Sequence, residues 1–268
     1  MADRQPPVRG WVDPNCAILG AALFLLAGII HAWQLFKYRR WWFSTMLVGI
    51  IFEVVGYAFR CLSAKNDPYR VTYFVCQYFF IVVAPVFFAA AIYTVLTALI
   101  NVTGRQYSPL LSPRIILWIF ITCDVVATVV QILGAGLIGK AASNREDTTM
   151  PNNILLAGLA FQAASFLLFI VLFVVFMLKA KHVKTKIVSK MFYISFCVAV
   201  VLLYIRVIFR LAETSEGLYG KLNTNEVYFG CLEFAPVVLA TFILAVWHPG
   251  RCIPKAAPVM ETYRGGDF

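Results

Sequence analysis

The residues with chemistry to offer stand where the sequence is otherwise most apolar. Glu53, Arg60, Gln77, Asp124, Gln131, Gln162, Arg206, Arg210 and Glu233 interrupt long hydrophobic runs, and Glu213 and Glu226 stand at the ends of two others. Arginine presents a planar fork that suits carboxylate or phosphate oxygens, and a carboxylate answers an amine or an arginine. A carboxyl group in an apolar setting can take up and release a proton. The spacing of these residues is helical: Glu53 and Arg60, Asp124 and Gln131, Arg206 and Glu213, and Glu226 and Glu233 are each seven apart, two turns along one face. Arg206 and Arg210 are four apart and extend one polar stripe. Two cations one turn apart repel unless something anionic lies between them.

Only a particular kind of element can carry such residues. The chain of 268 residues is 61% hydrophobic and 13% charged, whereas a soluble domain is about half apolar and roughly a quarter charged. The apolar residues form long blocks with the charges gathered in short gaps, and about 20 apolar residues cross a hydrocarbon core. The pattern predicts an all-α integral membrane protein with seven spans: Asn15–Phe36, Trp42–Ser63, Val71–Ile100, Arg114–Ile138, Asn152–Leu178, Ser189–Leu211 and Glu226–Trp247. Pro85 interrupts the third span, which should kink it and free a backbone carbonyl. No internal repeat is visible. Residues 1–14, which are polar and unlike a cleavable signal peptide, form an extracytosolic segment in this reading, residues 15–250 a membrane domain, and residues 251–268 a cytosolic tail.

Orientation follows from the basic residues. Lys37, Arg39, Arg40, Arg105, Arg114, Lys179, Lys181, Lys184, Lys186, Lys190, Arg251, Lys255 and Arg264 flank one side; Arg4, Arg9, Lys65, Arg70, Lys140, Arg145 and Lys221 flank the other. The positive-inside rule then predicts the N-terminus outside and the C-terminus in the cytosol. At about 1.5 Å per residue, Glu53, Asp124 and Gln162 lie near the midplane. Arg60, Gln77, Gln131, Arg206, Arg210, Glu213 and Glu226 lie in the outer half, with Glu233 between the two groups. A central charge costs about 2.5–3.5 kcal/mol on insertion scales, so these groups must face the bundle interior and pair. They either satisfy one another as interhelical glue or line a cavity open toward the outer leaflet. Asp124 paired with Arg206 or Arg210 stays ionised; left unpaired, it is a carboxyl whose protonation can change.

Other features carry plainer readings. The net charge of +10 sits mostly beside span ends, so it records topology and anionic headgroups and implies no nucleic acid. Seven cysteines show no metal-binding spacing or disulfide framework. His31 and His248 lack a third convergent ligand, so no metal is expected. No P-loop, HExxH or GxSxG is present, and no cofactor is expected. Gly56, Gly134, Gly136 and Gly158 read as close-packing positions between helices. The sequon at Asn101 falls on the cytosolic side in this topology, and Cys252 reads as a free thiol within reach of palmitoylation.

At the same polar positions the sequence resembles the fungal RTA-like family, often called lipid-translocating exporters. The resemblance rests on Glu53-x2-Gly56-Tyr57-x2-Arg60, Gln77, Ala84-Pro85, Tyr93, Asp124-x6-Gln131-x2-Gly134-x-Gly136 and Gly158-x3-Gln162. It continues through Arg206-x3-Arg210-x2-Glu213-x3-Gly217, Glu226 with Glu233, and His248-Pro249-Gly250. At Glu233 the family pattern has aspartate as often. The resemblance implies a seven-span fungal protein linked to movement of sphingoid bases or phospholipids, resistance to sterol-like drugs, or porphyrin handling.

Three functions fit these observations. In the first, the bundle binds and translocates an amphiphilic lipid-like molecule through an outer-half polar cavity, most naturally in the plasma membrane. Arg60, Arg206, Arg210, Glu213, Glu233, Gln77, Gln131 and Gln162 are then the substrate-binding residues, and Asp124 and Glu53 balance charge or couple protons. Its partners are membrane lipids and a hydrophobic small molecule. The second is a seven-helix lipid or small-molecule receptor. The third is an intramembrane enzyme using Asp124 and Glu53 as acid and base.

Overall fold

A bilayer offers no water to the backbone, so each apolar block must satisfy its own peptide groups, and a helix does so within one segment. The computed structural model of the protein describes residues 14–65, 71–108, 112–144, 146–181, 187–217, 222 and 226–254. Among them, seven helices are long and apolar enough to cross a membrane. The first six are α1 (Pro14–Tyr38), α2 (Ser44–Lys65), α3 (Val71–Thr103), α4 (Pro113–Asn144), α5 (Thr149–Lys179) and α6 (Lys190–Ser215). The seventh, α7, is composite: Glu226–Tyr228 and Ala235–Val246 are α-helical, and Phe229–Phe234 between them is π-helical. One further turn, α8 (Pro249–Cys252), follows. The expected N-terminal segment and cytosolic tail fall largely outside the described residues.

Local chemistry explains the ends. Proline opens α1, α4 and α8, where a missing N–H removes nothing the helix needs. Ser189 caps α6 by accepting from Met191 N–H at 3.3 Å. Before α5, Asp147 accepts from both the amide and the hydroxyl of Thr149 (3.0 and 2.6 Å), which holds its carboxyl below the usual aspartate range. Gly104 (φ 125°) and Gly217 (φ 76°) end α3 and α6 in backbone conformations that a side chain resists. α3 and α4 run past Ile100 and Ile138, where the apolar blocks end, because Asn101, Lys140 and Asn144 close the hydrophobic stretch without breaking the helix.

Consecutive helices pack against one another from α1 to α7, and α7 returns to α1. α3 also touches α5 and α6 and is the most enclosed of the spans. Its middle is packed in aromatic rings: Tyr93 lies 4.5 Å from Phe169 and 5.4 Å from Phe120, between ring centroids. The α4–α5 contact depends on glycine. A Cβ at Gly134 would stand 2.6 Å from the Leu155 amide nitrogen, and one at Gly158 3.0 Å from the Ala127 carbonyl, so backbone meets backbone there. Gly136 has nothing within 4 Å of such a Cβ, so close packing accounts for Gly134 and Gly158 and does not account for Gly136. Large apolar side chains such as Trp118, Val129, Leu133 and Leu168 cover the outside, as a lipid-facing surface requires.

The His248-Pro249-Gly250 sequence fastens the end of the bundle. His248 is buried, stacks on Tyr38 at 5.5 Å and accepts from Gly250 N–H at 3.1 Å. A Cβ at Gly250 would lie 2.9 Å from Tyr38 Cβ, so only glycine lets α8 lie this close to α1. His31 Nε2 meets the Thr241 carbonyl at 3.0 Å, Gln34 Nε2 donates to Ala245 O at 2.7 Å, and Arg40 Nη2 donates to Ile253 O at 2.9 Å.

Candidate functional site

The site is organised by a single arginine. Arg206, on α6, is among the largest fully buried side chains, with 2% of its surface exposed. Its Nη2 reaches three acceptors from three helices: Glu233 Oε1 on α7 at 2.9 Å, Glu53 Oε1 on α2 at 3.2 Å, and the backbone carbonyl of Ile81 on α3 at 3.0 Å. Its Nε adds a second hydrogen bond to Glu233 Oε1 at 3.2 Å. The Ile81 carbonyl is available for a reason legible in the sequence. In a regular helix it would bond the N–H of residue 85, and Pro85 has none.

Glu233 is also the anion that the paired arginines require. Its Oε1 lies between Arg206 and Arg210, 3.4 Å from Arg210 Nε. Arg210 completes its own shell by donating from Nη1 to Glu213 Oε2 at 2.9 Å. Arg60 lies over the Phe229 ring at 4.0 Å and interacts electrostatically with Glu213 and Tyr57. Three arginines thus stand with three glutamates, Glu53, Glu213 and Glu233, and such mutual compensation is what lets full charges persist inside a bundle. Exposure grades along the stripe: Glu53, Arg206 and Glu233 are sealed, Glu213 is nearly so, and Arg60 and Arg210 are partly open. The seal is incomplete in chemical terms. Arg206 Nη1 and Glu233 Oε2 are buried without hydrogen-bond partners, and Glu53 Oε1 has its ion pair but no hydrogen bond. A donor, Arg206 Nη1, and an acceptor, Glu233 Oε2, therefore remain at the heart of the cluster.

The remaining polar residues are distributed elsewhere. Asp124 does not join the arginines: its Oδ2 accepts from the Tyr93 hydroxyl at 2.7 Å, its Oδ1 is buried without a partner, and the Tyr93 ring packs among Phe120, Phe166 and Phe169. Gln131 Nε2 donates to Gln162 Oε1 at 2.9 Å across the α4–α5 contact. Gln77 is buried on α3 one turn before Ile81, on the same face. The Glu226 side chain lies outside the described residues. His31 and His248 rings come within 5.9 Å, and among the described residues no three His, Cys, Asp or Glu side chains converge as metal ligands.

Residue chemistry alone assigned no part to two groups. The Ile81 carbonyl is invisible to any reading of side chains, although Pro85 announced that some carbonyl would be freed. Tyr57 is buried between Phe24 and Phe234, at 5.5 Å from each, within the field of Glu53, Arg60, Arg206 and Glu233. Its signal was its place one turn after Glu53, on the same helical face.

The fold and the site together define a seven-span integral membrane protein built around a buried, charge-compensated arginine–glutamate network. The chain belongs to the RTA1-like protein family, whose profile matches residues 46–256. It is 32% identical over 260 residues to the sphingoid long-chain base transporter RSB1 of Saccharomyces cerevisiae, covering 82% of this chain and 67% of that one. It is 28% identical over 208 residues to protein RTA1 of the same organism, covering 76% and 64%. Protoporphyrin uptake protein 1, also from that yeast, is 29% identical over 209 residues, covering 76% and 67%. No solved structure matches the chain.

Proposed function

We propose that this protein binds and translocates an amphiphilic lipid-like molecule, foremost a sphingoid long-chain base, with its polar end at the Arg206–Glu233 cluster. The observation that carries the reading is the cluster's unfinished bonding. Sealed charged side chains leave one donor, Arg206 Nη1, and one acceptor, Glu233 Oε2, without partners. Buried polar groups are ordinarily satisfied. A head group that combines an amine with hydroxyls both accepts and donates, so it satisfies what the cluster leaves open, and its alkyl tail suits the Phe-lined interior. The relative named as a sphingoid long-chain base transporter supports this assignment.

In this reading Arg60, Arg210 and Glu213 receive the head group at the open end of the stripe, and Glu53, Arg206 and Glu233 hold it deeper. Gln77 lies along the same path, and Gln131 and Gln162 bond each other across the α4–α5 contact. The N-terminus lies outside and the C-terminus in the cytosol, which places the open end toward the outer leaflet. Asp124 is the carboxyl suited to carrying a proton: it has a phenol for company and, among the described residues, no ion pair to hold it ionised. Glu53, by contrast, is tied to Arg206.

The test is binding of a fluorescent long-chain base to the purified protein in nanodiscs. Arg206→Gln and Glu233→Gln should weaken binding at least about tenfold, and Gln131→Leu should leave it within about threefold. Undiminished binding by folded Arg206→Gln and Glu233→Gln variants would remove the cluster from the site and leave it as interhelical glue.

A further inference from the structure

Glu233 reaches the two arginines from an unusual stretch of helix. Residues Phe229–Phe234 wind as a π-helix, and the Ala235 N–H bonds the Gly230 carbonyl, a step of five rather than four. The sequence explains the location. Pro236 has no N–H with which to prolong the ladder, and in a regular α-helix its ring would strike the carbonyl of Leu232. Gly230 is the weakest non-proline helix former, and a Cβ there would meet nothing within 4 Å, so close packing does not account for it. A loosened turn thus lies just before a proline, with Glu233 inside it. π-turns are rare and concentrate at functional sites.

A π-turn holds a surplus residue, and that surplus can move along a helix. As it passes a position, the residue there turns about the axis by roughly 100°, the angle per residue of an α-helix. Each N–H exchanges a carbonyl five residues back for one four back, and the opposing cost is the Pro236 ring against the Leu232 carbonyl, which favours the observed register. We propose that α7 is a register switch: its π-turn slides from Phe229–Phe234 toward Glu226 and back, swinging Glu233 out from between Arg206 and Arg210 and returning it. In the observed register Glu233 Oε1 holds Arg206 at 2.9 Å and Arg210 at 3.4 Å. In the other register the carboxylate faces away, an apolar neighbour, Leu232 or Phe234, takes its place, and both guanidinium groups are released. The switch rests on the helix geometry and the ion pairs, and it stands whatever molecule the cluster handles.

Two substitutions bias the register. Pro236→Ala removes the ring and supplies an N–H, and Gly230→Ala strengthens the α form at a position with open space. Hydrogen–deuterium exchange of the full-length protein in nanodiscs should show the Phe229–Phe234 segment exchanging about tenfold or more faster than residues 199–206 of α6. Both variants should slow it. The second measurement is the thermal coupling between Glu233→Gln and Arg210→Gln, read from the melting temperatures of the two single variants and the double variant. That coupling should fall by about half or more in the Gly230→Ala background. Exchange as slow as in α6, or full coupling retained in Gly230→Ala, overturns the switch. Neither readout depends on lipid binding, so loss of the lipid reading leaves this test intact.

Discussion

Replacing Glu233 by glutamine changes one atom type and removes the charge that holds two arginines. In the parent, Glu233 Oε1 accepts from Arg206 Nε and Nη2 at 3.2 and 2.9 Å and lies 3.4 Å from Arg210 Nε. Glu233 and Arg206 are each 2% exposed. Breaking a buried ion pair from one side costs about 3–5 kcal/mol, because the other charge stays desolvated. The glutamine oxygen still accepts a hydrogen bond and Glu53 still faces Arg206 at 3.2 Å, so the lower end applies, about 3 kcal/mol. At about 2–4 °C per kcal/mol for a chain of this size, the melting temperature should fall by about 6–12 °C. Glu53→Gln is the internal comparison: it removes an ion pair without a hydrogen bond, while both bonds to Glu233 remain. It should cost less, about 1–2 kcal/mol. The double variant Glu233→Gln/Arg206→Gln should recover little, since it leaves the buried Glu53 without the cation it faces at 3.2 Å. The assay is thermal unfolding of the detergent-solubilised protein followed by size-exclusion fluorescence. A Glu233→Gln protein melting within about 2 °C of the parent, or one more stable than Glu53→Gln, would refute the view that Glu233 anchors the network.

Other expectations follow from single features. A reporter glycosylation site in the connection between α4 and α5 should be modified and one between α5 and α6 should not; the reverse pattern inverts the orientation. Gly134→Ala should destabilise by about 1–3 kcal/mol because its Cβ meets the Leu155 backbone, and Gly136→Ala, with open space, should be neutral or stabilising by up to about 1 kcal/mol; thermal melts compare the two. Asp124→Asn should fold and bind ligand but lose the pH dependence of transport in proteoliposomes, and pH dependence unchanged from the parent would shift that role to Glu53.

The seven helices were legible because the bilayer imposes a coarse rule, about 20 apolar residues per crossing, and the blocks obey it. Where helices outlast their apolar blocks, as at Lys140 and Asn144, hydropathy reports the membrane and not the helix. The stripe from Arg206 to Glu213 was legible as helical spacing, and so was the need for an anion between Arg206 and Arg210. Which anion was not: Glu233 is 27 residues from Arg206, and its aim depends on a π-turn that no side-chain pattern reports. Equal depth also misled about company. Asp124 and Glu53 were placed at one level, yet Asp124 turns to Tyr93 and Glu53 to Arg206, because helical spacing fixes a face and leaves open which neighbour that face meets.

α3 contributes to two polar centres at once: the Ile81 carbonyl grips Arg206, and the Tyr93 hydroxyl grips Asp124. Twelve residues separate them, roughly 18 Å along a helix, with Pro85 in between. One beam therefore bears on both the charged centre and the lone carboxyl, and its weak point lies between the two bearings. A bend at Pro85 that shifts Ile81 changes the angle at which Tyr93 meets Asp124. The charged centre and the Asp124–Tyr93 pair are thus joined through one helix and share no residue.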